Sequence, residues 1–225
     1  MEQENIALSI SNTESIIETK RTIYLFFKRL IDIVFGFVGI VLLIPLTIIV
    51  KLIYILTGDF HSIFYTQYRI GRNGKVFKIY KYRSMVLNAD EILKNLLKDK
   101  KIAYEYKKNK KLNNDPRITK AGKIIRKLSL DEFPQFINIF IGNMSLIGNR
   151  PYLPREKNDM GIFYDNIIST KPGLTGYWQV SGRNNTSFRK RIKLENYYSS
   201  NYSFMLDIKI FFKTFKTLIS RNGAK

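Results

Sequence analysis

Asp131 and Glu132 stand side by side in "KLSLDEFPQ", residues 127–135, in a chain that carries 38 Lys+Arg against 18 Asp+Glu. Adjacent carboxylates at such a junction admit two readings. One is helix capping: Ser129-x-x-Glu132 matches a capping box ahead of the apolar run "FPQFINIFIG", and Pro134 suits a first helical turn. Asp131 can equally be the N-cap itself. The other reading is catalysis. Both caps put the acids at a helix N-terminus, where the macrodipole favours a carboxylate and free N–H groups can hold an anion. An Asp kept ionised there can attack phosphorus or bind a metal. Neighbours on a regular helix point about 100° apart, so both acids address one substrate only if the turn is irregular.

The surroundings speak for phosphate. Arg117, Lys120, Lys123, Arg126 and Lys127 lie just upstream, and Arg150 lies downstream in "GNRP". Guanidinium forks match phosphate oxygens, and two anions beside several arginines describe a metal–phosphate site. Mg²⁺ is typically held by one or two carboxylates plus substrate phosphates, which makes Asp131 the candidate metal ligand. The same arginines could instead do no more than neutralise the acids.

Composition narrows the chemistry. The net charge of +20 asks for an anionic partner, whether nucleic acid, membrane or phosphorylated substrate. With no cysteine and a single histidine, His61, thiol nucleophiles, Cys-ligated metals and multi-His sites are excluded. Hydrophobic content of 45% argues against a disordered basic tail.

Several elements must position the acids. Residues 33–50, "IVFGFVGIVLLIPLTIIV", carry no charge and would extend roughly 27 Å as a helix, close to the hydrocarbon thickness of a bilayer. Basic residues flank both ends, Lys28 and Arg29 before and Lys51, Arg69 and Arg72 after, against the one-sided bias of a spanning helix. Pro45 predicts a kink within the run. A bent helix that enters and leaves through one leaflet satisfies both observations, although spanning stays open. Asp32 is expected to pair with Lys28 or Arg29 along its own helix. Residues 1–27 form a polar tail, mobile by composition. Asn73-Gly74 between β-branched and aromatic runs signals a hairpin. Ala89, Ile92, Leu93, Leu96 and Leu97 fall at helical spacing, ahead of a Lys-rich stretch read as a loop. The last apolar run, "NYYSSNYSFMLDIKIFFKTFKTLIS", fits a membrane-surface helix or a core helix with a lysine edge.

Four blocks, "KRLIDIVFGFVGIVLLIPL", "YRIGRNGKVFKIYKYRSM", "DPRITKAGKIIRKLSLDEFPQFINIFIGNMSLIGNRP" and "KPGLTGYWQVSGRNN", resemble in that order the bacterial sugar transferases, monotopic polyprenyl-phosphate phosphoglycosyl transferases, in their small catalytic-unit form. The resemblance implies an α+β, mostly helical fold: a kinked re-entrant membrane helix over residues 28–58, then a β-hairpin and interfacial amphipathic helices around a cytoplasmic catalytic domain, residues 59–225. It implies residence on the cytoplasmic face of the bacterial inner membrane, among anionic lipids. It implies transfer of a sugar-1-phosphate from a UDP-sugar to polyprenyl phosphate, with release of UMP and with Mg²⁺ as cofactor. Asp131 would be the nucleophile and Glu132 a proton acceptor or metal organiser. Arg126 and Arg150 would hold phosphate, with Arg117 and Arg183 as further candidates. Nucleic acid is not an expected partner, and a homodimer is left open. The rival reading is a basic, non-catalytic membrane protein that binds lipid or nucleic acid. Ile44, Asn143 and Asn149 depart from the commoner residues of that family; Ile44 takes one possible backbone partner from the kink, and neither asparagine belongs to the acid pair.

Overall fold

The structure, a computed structural model, describes residues 2–182 and 186–220, with side chains described for 18–182 and 186–217. It begins with one long helix, α1 (Glu2–Leu56), so residues 2–27 are helical where composition predicted a tail. Once a helix is nucleated each further residue adds a hydrogen bond, and the apolar segment supplies the nucleus. Among the described residues α1 alone is long and apolar enough to cross a bilayer; its stretch Glu18–Leu56 holds 39 residues, about 58 Å at the helical rise. Pro45 lies inside it, and two residues further on Thr47 Oγ1 donates to Leu43 O at 2.6 Å.

The inner face of α1 is a narrow stripe. Asp32, Gly36, Gly39, Leu43, Val50 and Tyr54 are buried at spacings of three, four or seven residues, one side of a helix. The other sides expose Phe27, Leu30, Val34, Phe37, Val38, Val41, Ile44, Ile48 and Leu52. Such a surface is unsuited to water.

After α1 comes the expected hairpin, β1 (Phe64–Ile70) and β2 (Val76–Tyr82), antiparallel with Ile70 opposite Val76 and Phe64 opposite Tyr82. Asn73 and Gly74 at its turn both take positive φ, 56° and 79°, which is why these two residue types stand there. Two short helices follow, α2 (Ala89–Leu96) and α3 (Lys100–Asn109). The second replaces the expected loop: the Asp99 carboxylate accepts from Lys101 N at 2.7 Å and Ile102 N at 3.1 Å, capping a run that lysines alone would not start.

The chain continues through α4 (Lys120–Lys127), α5 (Gln135–Phe140), β3 (Ser145–Ile147), α6 (Lys157–Met160) and α7 (Tyr164–Ile168). It ends with β4 (Gly173–Thr175), α8 (Tyr177–Val180), α9 (Phe188–Asn201) and α10 (Phe204–Ser220). Strands β3 and β4 pair in parallel, Ser145 beside Gly173 and Ile147 beside Thr175. This pairing joins "SLIGNRP" to "PGLTGYWQ". It depends on Gly148 and Gly173, where an added Cβ would run into the facing backbone.

Helix α1 holds these pieces together. Phe136 and Phe140 of α5 lie against Gly39 and Gly36, where a side chain would collide with them. Arg29 donates to the last carbonyls of α5, Ile139 O at 2.8 Å and Phe140 O at 2.7 Å. Asp32 does not pair along its own helix. It accepts from Ser145 Oγ at 3.0 Å and Leu146 N at 2.8 Å and so pins β3, while Lys28 pairs with Asp207 of α10. Long-range partners win here because both acids are buried and each needs a donor. The far end is tied as well: Arg83 stacks on Tyr54 and donates to Asp59 Oδ1 at 2.7 Å. The last helix is apolar on both its inner and its outer side. Ile210 is buried, while Phe204, Met205, Phe212 and Phe215 are exposed.

Candidate active site

The acid pair is carried by a turn between α4 and α5. Thr119 caps α4, accepting from Gly122 N at 2.9 Å, and Gly122 lies so close to Ser84 O that no side chain would fit. This contact brings Arg126 to Ser84, whose Oγ accepts from Arg126 Nε at 2.8 Å. The chain leaves α4 through Ser129 in the left-handed region, φ 56°, and then makes one 3₁₀ turn over Leu130–Glu132. Ser129 makes no side-chain cap, and α5 starts only at Gln135, so neither capping reading is realised. The turn is irregular, as the catalytic reading requires. Leu130 and Phe133 fix it by packing on Leu43, Val50 and Tyr54 of α1.

Strand β2 supplies the facing charge. Asn138 of α5 accepts from Tyr80 N at 3.0 Å and donates to Lys78 O at 2.7 Å, zipping α5 to the strand edge. Lys81, the next residue, then donates to Glu132 Oε1 at 3.0 Å. The Glu132 side chain is 43% exposed, and Lys81 is 21% exposed. Burial, with the neighbouring Glu132 charge, pushes Asp131 up to about 6, while Lys81 and Arg126 pull it down. Burial would raise Glu132 too, but Lys81 outweighs it, helped by Arg150 and Arg69, and holds this carboxyl below its ordinary value. The environments push the two acids apart, the pattern that assigns different roles to paired carboxylates.

Glu132 faces a cavity of about 450 Å³, within the ordinary range for small-molecule sites. Its wall includes Arg69, Lys81, Arg126 and Arg150, with Gln135, Trp178 and Gln179, and it is closed on one side by Phe35 of α1 and Phe211 of α10. Asp131 lies just outside this wall, on the side of Arg126 and Lys81. Buried donors on the wall stand without partners: Arg69 Nε, Gln135 Nε2, Arg150 Nε and Trp178 Nε1. Each such group costs free energy until a ligand satisfies it, so their convergence marks a polar binding site.

Arg126 and Arg150 both line this cavity. Arg117 does not. Its fork closes on Asp115, Nε to Oδ1 at 2.8 Å and Nη2 to Oδ2 at 2.6 Å, and the side chains are 8% and 5% exposed, so no face is free for phosphate. Arg183 lies outside the described residues. Sequence reasoning missed Lys81, Arg69 and Trp178 as site residues. Arg69 sits on β1 and donates to Pro151 O at 3.1 Å. Nothing local singles it out beyond a charge in a strand that has to be buried on one side. Asn149, one of the departures, is structural: buried, it donates to Ser199 Oγ at 2.6 Å and Ile167 O at 3.0 Å beneath Arg150.

Among the described residues no three His, Cys, Asp or Glu side chains converge. This site offers a cation two adjacent carboxylates, with Lys81 already on one. A Mg²⁺ ion completed by substrate phosphate oxygens fits that donor set, whereas a metal held by protein alone does not.

Comparison with known proteins identifies the family. The family model for bacterial sugar transferases matches residues 23–221, and the chain belongs to that family. It is 44% identical over 200 residues to the undecaprenyl-phosphate galactose phosphotransferase of Salmonella typhimurium, covering 88% of this chain and 42% of that protein. With the exopolysaccharide production protein ExoY of Sinorhizobium fredii it shares 38% identity over 198 residues, covering 88% and 87%. The galactosyl transferase CpsE of Streptococcus agalactiae is 41% identical over 203 residues, covering 90% and 44%. The chain therefore spans less than half the length of the Salmonella and Streptococcus proteins and most of the Sinorhizobium one.

Proposed function

We propose that the protein transfers a sugar-1-phosphate from a UDP-sugar to polyprenyl phosphate in two steps, as a membrane reaction that opens surface polysaccharide or glycoconjugate synthesis. The observation that carries this reading is the adjacent acid pair beside a cavity lined by four cations and several unpartnered donors. In the first step a carboxylate oxygen of Asp131 attacks the phosphorus that bears the sugar. The P–O bond to the nucleotide breaks and UMP leaves, giving an aspartyl-phosphosugar. In the second step a phosphate oxygen of the lipid attacks the same phosphorus, the Asp131 carboxylate is released, and polyprenyl-diphosphate-sugar forms. Arg69, Arg126 and Arg150 neutralise the phosphates and set their line of approach. Lys81 keeps Glu132 ionised, ready to accept a proton or help hold the metal. Mg²⁺, held by Asp131 or Glu132 with substrate phosphates, would supply charge neutralisation of the diphosphate. A lipid- or nucleic-acid-binding protein without chemistry would gain nothing from two carboxylates among its cations.

The reading extends to the membrane. The buried stripe of α1 contacts one globular unit from Asp32 to Tyr54, about 33 Å measured along the helix. Arg29 engages α5 at one end, and Arg83 stacks on Tyr54 at the other. A spanning α1 would drag that charged unit through the hydrocarbon, so α1 enters and leaves one leaflet, and the catalytic part lies on the cytoplasmic face of the inner membrane. The exposed apolar residues of α10 rest on the same surface. Cysteines placed before residue 30 and after residue 60 should label from the same side; labelling from opposite sides would rule out this topology. Purified protein with Mg²⁺, polyprenyl phosphate and a panel of UDP-sugars should release UMP. Silence across a broad panel, in protein shown to be folded, would remove the enzymatic reading.

A further inference from the structure

A second cavity, of about 270 Å³, lies between α1 and α10, lined by Ile31, Phe35, Leu146, Phe204, Ile208 and Phe211 among others. It shares Phe35, Leu146, Ile147 and Phe211 with the cavity beside the acids, so the two spaces are neighbours with a common wall. That wall includes an edge-on ring pair, Phe35 and Phe211, with centroids 6.3 Å apart. The rim carries exposed apolar side chains: Ile31 at 41%, Phe35 at 43% and Phe204 at 53%.

The chamber also holds charged groups, but their charge is spent within the protein. Asp207 accepts from Lys28, from Tyr24 Oη at 2.7 Å and from Tyr198 Oη at 2.8 Å. Asp32 is occupied by Ser145 Oγ and Leu146 N. With its acids and its lysine bonded to one another or to the backbone, the chamber presents an almost wholly apolar surface. In the first cavity the reverse holds, because buried donors there have no partner. Two adjoining spaces, one with unpaired cationic donors and one apolar and open toward the lipid-facing side of α1, match an amphiphile with an anionic head and a hydrocarbon chain.

We infer that the chamber between α1 and α10 binds the first isoprene units of the acceptor lipid, while the phosphate of that lipid reaches past Phe35 and Phe211 into the catalytic cavity. This inference rests on the proposed reaction for the identity of the lipid. It assigns Phe35 and Phe211 as the pair that the chain must pass. A nucleotide-sugar is excluded from the chamber by its polarity.

The test separates chain from head. Ile208→Trp and Ile31→Trp fill the chamber from two positions that are not part of the catalytic cavity wall. In the full-length protein each should raise KM for a long polyprenyl phosphate by about tenfold, since displaced apolar contacts lower affinity in proportion to the area lost. KM for a ten-carbon isoprenyl phosphate should rise less, and the UMP burst from donor alone should be unchanged. Equal shifts for both acceptors, or no shift, would overturn the assignment; a phospholipid acyl chain as the true occupant would give the latter. Should a variant lose the UMP burst through misfolding, the wild-type protein decides. A polyprenyl phosphate bearing a diazirine on its first isoprene unit should label peptides around Ile31, Phe204 or Ile208. Labels confined elsewhere would overturn the site. Photolabelling does not depend on turnover: chamber labels without UMP release would keep this site and remove the reaction, whereas UMP release with labels elsewhere would do the opposite.

Discussion

Asp115 and Asp131 both stand among arginines in the same part of the chain, and the structure treats them in opposite ways. Asp115 is closed: Arg117 binds both its oxygens, and the pair is almost wholly buried, which holds the Asp115 carboxyl below its ordinary value even though burial works against it. Asp131 is open. No guanidinium pairs with it, its neighbour is another acid, and it is raised to about 6. A satisfied ion pair holds the fold together, whereas an unsatisfied group beside unpartnered donors is poised for a ligand.

The contrast breaks most sharply at Asp131 itself. Asp131→Asn should lower turnover by at least about 10⁴-fold, the scale seen when a covalent nucleophile is removed. Stability should move the other way. Because the folded-state pKa is raised, the ionised carboxylate costs the folded state free energy above a pH of about 6, and the amide removes that cost. Thermal unfolding at pH 8 should therefore show an unchanged or higher midpoint. A large fall in the midpoint would make Asp131 a structural residue after all.

At the closed pair the pattern inverts. Arg117→Ala leaves the Asp115 carboxylate buried and unpaired, which should destabilise the fold by about 3–5 kcal/mol while the surviving folded protein keeps its kcat. Since the Asp115 pKa is lowered in the folded state, the stability it contributes is present above its unfolded pKa and lost as pH falls through the folded value. The gap between the denaturant midpoints of wild type and variant should thus narrow as the pH is lowered from neutrality into the acid range. A fall in kcat with stability intact would return Arg117 to the phosphate site.

A smaller change tests the link between the two acids. Lys81 lowers both Asp131 and Glu132, so Lys81→Met should move the acid limb of the pH–rate profile to higher pH and cost about 10–100-fold in kcat at neutral pH. An unshifted limb would show that Lys81 does not set the charge on the pair.

How far the sequence revealed this arrangement depended on the range of the interaction. Local signals worked: Asn73-Gly74 gave the hairpin, and the spacing of Ile92, Leu93 and Leu96 gave α2. The Asp99 cap of α3 was local too, but the lysines around it disguised it. Arg117 was misplaced because it is near Asp131 in sequence, although the Asp-Pro-Arg spacing carried the closer partner. Helical periodicity gave Asp32 the wrong partners, and it could not place Lys81 or Arg69 at all. Their partners, Leu146, Glu132 and Pro151, are brought to them only when α1 docks on α5 and β2 is zipped to Asn138. The nearness of Asp131, Glu132 and Arg126 was legible because one short segment carries all three, whereas Arg150 reaches the same cavity from beyond β3.

The most direct test is the mass of the intact protein after incubation with Mg²⁺ and a productive UDP-sugar, with no lipid acceptor. The account predicts an added sugar-phosphate that maps to Asp131 and disappears when polyprenyl phosphate is supplied. Rapid turnover with no adduct under trapping conditions, or an adduct on another residue, would contradict it.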